Sequence, residues 1–357
     1  MIASVASLGR SLDIELTRRC NLRCDHCFVG WSRDWHTDLP EEIAAAIIDE
    51  GAGLFPTLHF TGGEPFAYRA LFELIERGIA RGYDHVLVNT NGTFLSDDTV
   101  TRLVPFRDHL RLTVSLDGPE PVHDRVRGAG RFREADDGLA RALAAGISST
   151  VMVVVTPEVL ATLAPFVTSL VRRHPLLAGI TLFPVGVGPE GTQKPGSVLR
   201  ALSPSEIREM VLTVALLFRV GVPIGIGAYP IVNPMLAALG YPAERLYQCT
   251  AGRGRLCVHA DRSVSTCHPV KDPVYGQYRP GLLREIDRFA AHARLAAREF
   301  EGCGECGHRE SCGHCRAFVT ASGAPLFGND HVCQELLPAA NRPPASPARR
   351  LLPLLPP

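Results

Sequence analysis

The chain has 357 residues, enough for one large domain or two ordinary ones, and 46% of them are hydrophobic, which excludes a wholly disordered protein. Lysine plus arginine and aspartate plus glutamate both number 37, so the chain has no overall basic charge to hold nucleic acid or an anionic membrane. No apolar run reaches the roughly 18–20 residues of a membrane span, and the amino terminus lacks the basic and long apolar stretches of a signal peptide. We therefore expect a cytoplasmic protein that binds neither nucleic acid nor membrane.

Strand and helix patterns alternate from residue 11 to about residue 230. Strands are predicted at 12–16, 58–60, 86–88, 112–115, 150–155 and 179–183. Helices are predicted at 41–50, 71–81, 97–104, 134–145, 159–173 and 204–220, with an interruption near Pro165. Such alternation favours a parallel sheet with right-handed crossovers, and a complete barrel would need two more units. The sequence therefore predicts an α/β fold with a partial (β/α)6 TIM-like barrel, followed by a cysteine-rich C-terminal domain.

Five segments are predicted along the chain. After residue 222 the alternation fades into Gly- and Pro-rich sequence, and the cysteine-rich part has few apolar runs, so we expect bound metal to hold it together. The segments are an N-terminal tail at 1–10, the barrel at 11–230, a bridge at 231–248, an auxiliary-cluster domain at 249–335, and a disordered Pro-rich tail at 336–357.

Eleven cysteines fall into two groups, with none between residues 27 and 249. An odd number of thiols in tight groups favours metal or redox chemistry over disulfides. The first group is Cys20, Cys24 and Cys27, and it directly follows the first strand, at the end where parallel α/β folds place their active sites. Three thiolates can hold three irons of a [4Fe–4S] cluster and leave the fourth iron open. A zinc site would need a fourth ligand, for which His26 is available.

Three further motifs stand at the ends of the next three predicted strands. They are Gly62-Gly63-Glu64-Pro65, then Asn89-Thr90-Asn91-Gly92, then Ser115-Leu116-Asp117-Gly118-Pro119, which residues 123–130 continue. With the three thiols, these stretches resemble radical S-adenosylmethionine (SAM) enzymes over residues 11–230. The resemblance implies that a [4Fe–4S] cluster on the first thiol group reductively cleaves SAM to a 5′-deoxyadenosyl radical, which abstracts a hydrogen atom from the substrate.

The resemblance also implies a set of SAM-binding residues. Glycines at 62 and 63 would let the backbone approach the ligand closely. Glu64 would accept from the α-ammonium group, Ser115 would bind the ribose hydroxyls, and Arg127 would pair with the carboxylate. A helix-terminal acid, a capped turn and a surface arginine are the alternative interpretations of these three residues. The implied set is Gly62, Gly63, Glu64, Pro65, Asn91, Ser115 and Arg127.

The eight distal cysteines resemble the SPASM extension of radical SAM enzymes, although two adjacent cysteine pairs alone would also fit a zinc ribbon. Two features depart from the extension's pattern: Arg262 stands where a glycine is usual, and the last knot spacing has two residues instead of three. The resemblance implies a proximal auxiliary cluster on Cys249, Cys257, Cys267 and Cys315, and a distal one on Cys303, Cys306, Cys312 and Cys333. The alternative interpretation of Cys257 is a buried structural thiol that ligates no cluster. With the first group, all eleven thiols are used, so the expected cofactors are three [4Fe–4S] clusters and SAM.

The expected activity is that of a radical SAM oxidoreductase with auxiliary clusters, giving net oxidation or crosslinking of a peptide or protein, as peptide maturases do. Loss of a proton would need a base, for which His268, directly after Cys267, and Asp117 are the candidates. An alternative is a dehydrogenase of a sugar or aminocyclitol in natural-product biosynthesis. A non-catalytic iron–sulfur or zinc scaffold would leave the Gly-Gly-Glu-Pro turn unexplained.

The expected partners follow from the same resemblance. An external electron donor such as flavodoxin or ferredoxin would reduce the enzyme. Because the first predicted strand begins at residue 12, we expect a separate leader-peptide recognition protein in place of a fused recognition domain, or else a small-molecule substrate.

Overall fold

A nine-stranded sheet organises the described residues of the computed structural model, which are 10–27, 34–186, 199–270, 274–303, 306–309, 312, 315–328 and 332–337. The strand order is β7-β6-β5-β4-β3-β2-β1-β8-β9. Neighbouring strands from β7 to β8 are parallel, and β9 is antiparallel to β8. The strands are β1 (Ser11–Thr17), β2 (Thr57–Gly62), β3 (His85–Thr90), β4 (Leu110–Ser115), β5 (Ser148–Val155), β6 (Gly179–Pro184), β7 (Ile224–Ile226), β8 (Arg255–Val258) and β9 (Val264–Ser265).

Helices connect the parallel strands and continue into the cysteine-rich part. Local sequence sets several of their starts: the side chains of Ser96, Thr156 and Ser203 each accept a hydrogen bond from a main-chain amide in the first helical turn. The helices are α1 (Glu41–Gly51), α2 (Leu71–Ala80), α3 (Asp97–Leu103), α4 (Glu120–Arg127), α5 (Arg131–Ala144), α6 (Pro157–Arg173), α7 (Pro204–Arg219), α8 (Asn233–Ala238), α9 (Ala290–Ala296), α10 (Arg316–Ala321) and α11 (Cys333–Leu336). The predicted α/β fold with a parallel-strand sheet is confirmed.

The predicted interruption near Pro165 is wrong. Helix α6 runs without a break from Pro157 to Arg173, with Pro165 inside it. The ring of Pro165 is on the exposed side of the helix, whereas Phe166, Val167 and Leu170 are buried. The packing of this apolar face therefore holds the helix together across the missing main-chain hydrogen bond.

The sheet is wider than the six predicted strands. Strand β7 adds to β6, and β8, from the cysteine-rich part, pairs in parallel with β1, placing Cys257 opposite Asp13. The cysteine-rich part also contributes to the main hydrophobic core through Leu256, Val258, Val264, Tyr275, Leu282 and Ile286. This part therefore buries its short, scattered apolar residues in the barrel's core, and the expectation that bound metal holds it together stays a prediction. The division of the chain at residues 230 and 249 stays a prediction.

Strand β1 separates an apolar face from a polar one. Leu12, Ile14 and Leu16 are fully buried in the main core, where Leu12 meets Gly51 of α1. Successive side chains of a strand point to opposite faces, so Asp13, Glu15 and Thr17 lie on the other face. The register places Asp13 beside His59 and Glu15 beside Thr61 of β2. A polar layer therefore lines the face of the sheet that the helices do not cover.

Two of the predicted segments lie largely outside the described residues. Residues 1–9 of the N-terminal tail and 338–357 of the Pro-rich tail are among those not described. Leu336 and Leu337, assigned to that tail, are instead buried at the end of α11. Among the described helices, none is long and apolar enough to cross a membrane.

Candidate functional site

The first thiol group lies in the loop that follows the carboxyl end of β1. Cys24 is buried, and Cys20 and Cys27 are partly exposed. The amide of Leu22 donates to Cys20 Sγ at 3.3 Å, and the amide of Cys27 donates to the carbonyl of Cys24 at 3.2 Å. Burial raises the pKa of the Cys20 thiol to about 11 and that of Cys24 to about 12, with the neighbouring thiols adding to both shifts. The fold therefore brings the three thiols together in a partly dry loop.

The spacing of these thiols bears on which metal they fit. In a tetrahedral zinc site, Zn–S bonds of about 2.3 Å place the sulfurs about 3.8 Å apart. Among the described residues, no three thiols lie within 4.8 Å of one another. His26, the possible fourth zinc ligand, instead pairs through Nε2 with Asp117 Oδ2 at 2.7 Å. With His26 engaged by Asp117, the loop offers three thiolates, which is the ligand set of an iron–sulfur cluster with one iron left open.

The two glycines at the end of β2 are required by the neighbouring chain. A Cβ on Gly62 would overlap the carbonyl oxygen of Thr17, and one on Gly63 would overlap that of Arg19. The amides of Gly63 and Glu64 donate to the same two carbonyls, at 2.7 and 2.8 Å. The sequence predicted a close approach to a ligand, and the close approach in the structure is to the start of the thiol loop. The glycine pair thereby fixes that loop against β2.

Glu64 is fully buried, and its carboxylate faces β3. It accepts from Thr90 Oγ1 and the amide of Asn91, both at 2.8 Å, and from the amide of Phe66 at 3.2 Å. Burial raises the pKa of Glu64 to about 7, although these donors lower it. Pro65, also buried, begins the short turn that holds this geometry. The predicted contact of Glu64 with the SAM ammonium group stays a prediction.

Asn91 joins the thiol loop to the end of β3. Its side-chain amide donates to Asn21 Oδ1 at 2.8 Å and lies 3.8 Å from Cys20 Sγ. Ser115 is buried at the end of β4. The four strand ends that carry the predicted SAM-binding motifs are therefore neighbours along one edge of the sheet.

Asp117 anchors a buried charged group behind Cys24. Its carboxylate accepts from Arg127 Nε at 2.6 Å, His26 Nε2 at 2.7 Å and the amide of Val154 at 2.7 Å. Burial alone would raise the pKa of Asp117, but the charges of Arg127 and His26 hold it well below its ordinary value. Arg127 Nη1 also lies 4.0 Å from Cys24 Sγ. A carboxyl group held ionised in this way suits positioning of the loop better than proton transfer, and its predicted role as a base stays untested.

The thiols assigned to the proximal auxiliary cluster lie close to one another beside β8. Burial, and next the neighbouring Cys249, raises the pKa of Cys267 to about 12. Burial also raises the pKa of Cys315, and Cys249 and Cys267 raise it further. Cys257 is fully buried on β8, two residues from Arg255, whose charge acts on Cys267. The remaining set also converges: Cys303, Cys306 and Cys312 line one cavity with Arg298, Phe300, His308 and Arg309, and Cys333 acts electrostatically on Cys303. All eleven thiols are free of disulfides.

His268 lies on the polar side of β1. It is buried, with Nδ1 3.0 Å from Thr61 Oγ1 and Nε2 3.5 Å from Glu15 Oε2. Sequence reasoning missed Glu15 and His259, which share this position, and missed His26 as the partner of Asp117. Only the polar residues alternating along β1 mark Glu15 in the sequence, and no pattern links it to residues more than 240 positions away.

Residues 14–167 match the family model of the Radical SAM superfamily, and this range contains the first thiol group and the motifs at the ends of β2, β3 and β4. Over these residues the chain is similar to a radical SAM domain. Such a domain binds SAM and an iron–sulfur cluster, which agrees with the three thiols of the β1 loop. The coarse cofactor prediction is thereby confirmed, while the number of clusters stays a prediction.

Similarity to known proteins extends beyond the radical SAM domain. The mycofactocin maturase MftC of Mycobacterium ulcerans is 29% identical over 331 residues, which cover 89% of this chain and 86% of that protein. AlbA, a subtilosin biosynthesis protein of Bacillus subtilis, is 31% identical over 123 residues, covering 32% of this chain and 26% of AlbA.

Solved structures show the same fold at low sequence identity. SuiB of Streptococcus suis, bound to S-adenosylmethionine, has a TM-score of 0.71 at 14% identity and covers 92% of this chain and 78% of SuiB. The protein anSMEcpe, with bound AdoMet and the Cp18Cys peptide, has a TM-score of 0.68 at 17% identity and covers 91% and 94% of the two chains. The sheet therefore has the fold of a partial TIM-like barrel, as the sequence predicted.

Proposed function

We propose that this protein is a radical SAM oxidoreductase with two auxiliary clusters, and that it oxidises or crosslinks a peptide or protein. The observation that carries the proposal is the extent of the similarity to the maturase MftC, which spans 89% of the chain and so extends into the cysteine-rich part. When bound and reduced, the iron–sulfur cluster of such a domain cleaves SAM and supplies the radical that removes a hydrogen atom from the substrate.

The chain's own residues would bind the cluster and SAM. Cys20, Cys24 and Cys27 would ligate the first cluster. Arg127 lies 4.0 Å from Cys24 Sγ and lowers the pKa of that thiol, against the larger effect of burial. Its charge would therefore stabilise the thiolate that a metal ligand requires. Gly62, Gly63, Glu64, Pro65, Asn91, Ser115 and Arg127 would form the SAM site at the adjacent strand ends.

The distal thiols would hold the two auxiliary clusters. Cys249, Cys257, Cys267 and Cys315 would form the proximal set, next to the polar face of β1, and Cys303, Cys306, Cys312 and Cys333 the distal set. Hydrogen-atom removal leaves a one-electron oxidised substrate, so a second electron and a proton must depart for a closed-shell product. The auxiliary sites would pass the electron to an external carrier, and a basic group beside the substrate would accept the proton.

A peptide or protein is the substrate class that the comparisons favour. SuiB was solved with the precursor peptide SuiA and anSMEcpe with a cysteine-containing peptide, so two proteins of this fold bind peptides. The GTP 3′,8-cyclase of Peptoclostridium acidaminophilum, another relative, is named for a small-molecule substrate, so a small molecule is the alternative substrate class.

The experiment measures the clusters and SAM cleavage in the same preparations. Anaerobically reconstituted wild-type protein should contain about twelve irons and twelve sulfides per chain, since three clusters hold four of each. Replacing Cys20, Cys24 and Cys27 together with Ala should remove about four irons and abolish 5′-deoxyadenosine formation. The matched variant Cys306→Ala should lose iron at the distal site and keep SAM cleavage with a strong chemical reductant, because its site lies outside the radical SAM domain.

Two results would overturn the proposal. Stoichiometric zinc with little iron would exclude the clusters, and unchanged 5′-deoxyadenosine formation in the triple variant would exclude the role of the β1 loop. If a folded Cys306→Ala variant keeps the wild-type ratio of product to 5′-deoxyadenosine, the distal site is structural and carries no electron.

A further inference from the structure

Three buried side chains, none of them a thiol, converge on the polar side of β1. They are Glu15 on β1, His259 just after β8 and His268 after β9, and one ligand atom of each lies within 4.8 Å of the other two. Glu15 and His259 are fully buried, and His268 is only 6% exposed. Among the described residues, this is the one group of three histidine, cysteine or acidic side chains with such spacing.

Each imidazole directs one nitrogen to the same carboxylate oxygen. His259 Nδ1 lies 2.7 Å and His268 Nε2 3.5 Å from Glu15 Oε2. His259 Nε2 lies 2.8 Å from Ser265 Oγ, whereas Thr61 Oγ1 lies 3.0 Å from Nδ1 of His268 and 3.4 Å from its Nε2. For His259 this is the arrangement of metal-binding histidines, in which a hydrogen bond to the far nitrogen fixes the ring.

Ser265 connects this group to the segment that carries Cys267. Its Oγ lies 2.8 Å from His259 Nε2 and donates to the carbonyl of Cys267 at 2.9 Å. On the other side of the ring, His259 Nδ1 lies 2.7 Å from Glu15 Oε2. A metal ion at this point would be within reach of the carboxylate and of both imidazoles.

The charged side chains next to Glu15 balance one another without using the full charge of its carboxylate. Arg18 Nε lies 3.2 Å from Glu15 Oε1, the oxygen that does not face the histidines, and Arg18 Nη2 lies 2.6 Å from Asp261 Oδ2. Asp261 therefore offsets the charge of Arg18, and the Glu15 carboxylate is left to offset part of a divalent charge.

We propose that Glu15, His259 and His268 form a binding site for a single divalent first-row metal ion, such as Mn²⁺, Fe²⁺ or Zn²⁺. Two imidazoles and one carboxylate are a common ligand set for these ions, and three protein ligands leave at least one position open to water or to an oxygen of the substrate. The site uses no thiol, so its ligands are additional to those of the proposed iron–sulfur clusters, and His268 directly follows the proximal ligand Cys267.

The test uses Mn²⁺ as the probe, because thiolates compete poorly for it and imidazole and carboxylate ligands hold it. Full-length protein, purified and reconstituted anaerobically, is titrated with MnCl₂, and the six-line EPR signal of free Mn²⁺ reports binding. Elemental analysis measures any ion already present that sulfide content does not account for. We expect about one such ion or one bound Mn²⁺ per chain in the wild type, and none in Glu15→Gln or His259→Gln.

A second pair of variants separates a metal site from a hydrogen-bonded network. Ser265→Ala keeps the three ligands and removes the hydroxyl behind His259, so we expect Mn²⁺ to bind about 10–100-fold more weakly. His174→Gln is the control: it removes another buried imidazole that pairs with a carboxylate, Asp136 Oδ1 at 2.8 Å, and should leave Mn²⁺ binding unchanged. Thermal unfolding and iron and sulfide content verify that each variant is folded and loaded.

The proposal is overturned if the wild type neither contains nor binds a non-cluster ion, which would make the three side chains a hydrogen-bonded network without a metal. It is equally overturned if folded Glu15→Gln and Ser265→Ala proteins bind Mn²⁺ as the wild type does. Both results leave the proposed radical SAM activity untouched, so failure of the two proposals can be distinguished.

Discussion

At the scale of single residues, the structure buries charged side chains at the strand ends and gives each one several partners. Asp117 and Glu64 are both fully buried acids, yet their pKa values shift in opposite directions. Asp117 faces the full charge of Arg127, whereas the donors to Glu64 are uncharged amides and a hydroxyl. Uncharged donors do not offset the cost of burying a carboxylate, so Glu64 titrates near neutral pH.

Glu64 should make the stability of the protein depend on pH. Its pKa rises from 4.5 to about 7 in the folded protein, so between these values the folded chain keeps a proton that the unfolded chain has released. The stability from this group is therefore fully present below pH 4.5 and is lost as the pH rises through about 7. We expect the free energy of unfolding of the wild type to fall by about 2 kcal/mol more than that of Glu64→Gln between about pH 5.5 and about pH 8.

Urea unfolding followed by circular dichroism at several pH values measures this difference. Glu134→Gln is the matched control, since it removes an exposed carboxylate and should retain the wild-type pH dependence. Equal slopes for wild type and Glu64→Gln would mean that Glu64 stays ionised in the folded protein.

At the scale of elements, helix α6 shows packing overriding local preference. Proline removes one main-chain hydrogen bond and crowds the preceding turn, so a sequence pattern predicts a break at Pro165. The helix continues because its apolar side is buried along its whole length, from Val159 to Leu170. Pro165 itself contributes no buried surface, since it faces solvent.

Replacing Pro165 with Ala should therefore stabilise the protein. The restored hydrogen bond and relieved crowding should raise the free energy of unfolding by about 1–3 kcal/mol, with no packing lost. Ala161→Gly, at another exposed position one turn earlier, should lower it by about 1 kcal/mol. Chemical denaturation of the three proteins checks both values, and a destabilised Pro165→Ala variant would show that the proline is part of a bend the packing needs.

At the scale of the whole molecule, one sheet and one core run from the radical SAM domain into the cysteine-rich part. Strand β8 covers the edge of β1, and β9 extends the sheet by one more strand. Leu256, Val258 and Val264 join the main core from this part of the chain. Without these residues, the edge of β1 would expose unpaired main-chain groups beside an apolar surface.

A chain that ends at residue 248 should therefore fail to fold as an independent barrel. We expect it to aggregate or to unfold without a cooperative transition, as measured by size-exclusion chromatography and thermal circular dichroism. A chain that ends at residue 337 is the control, because it keeps β8 and β9, and it should unfold cooperatively. A soluble, cooperatively folded monomer of residues 1–248 would establish the radical SAM domain and the cysteine-rich part as separate units.

The sequence by itself determined the features that depend on local pattern. Short apolar stretches predicted the six central strands, and their alternation with helices predicted the parallel arrangement. The three thiols after β1 and the glycine pair after β2 resemble radical SAM enzymes, and this resemblance predicted the domain. The closeness of Cys303, Cys306 and Cys312 was evident from spacing, whereas the assignment of Cys315 to the other set came from the resemblance.

Only the tertiary structure decided which distant residues meet. The pairing of β8 with β1 and the convergence of Glu15 with His259 and His268 join positions more than 240 residues apart. The tertiary structure also brings His26 and Asp117 together, because the ends of β1 and β4 lie at the same edge of the sheet. Such contacts depend on strand order and on the burial of both partners together, and neither quantity is encoded in a short stretch of sequence. The sequence therefore determined the chemistry of the thiols, and the packing of the sheet decided which polar groups surround them.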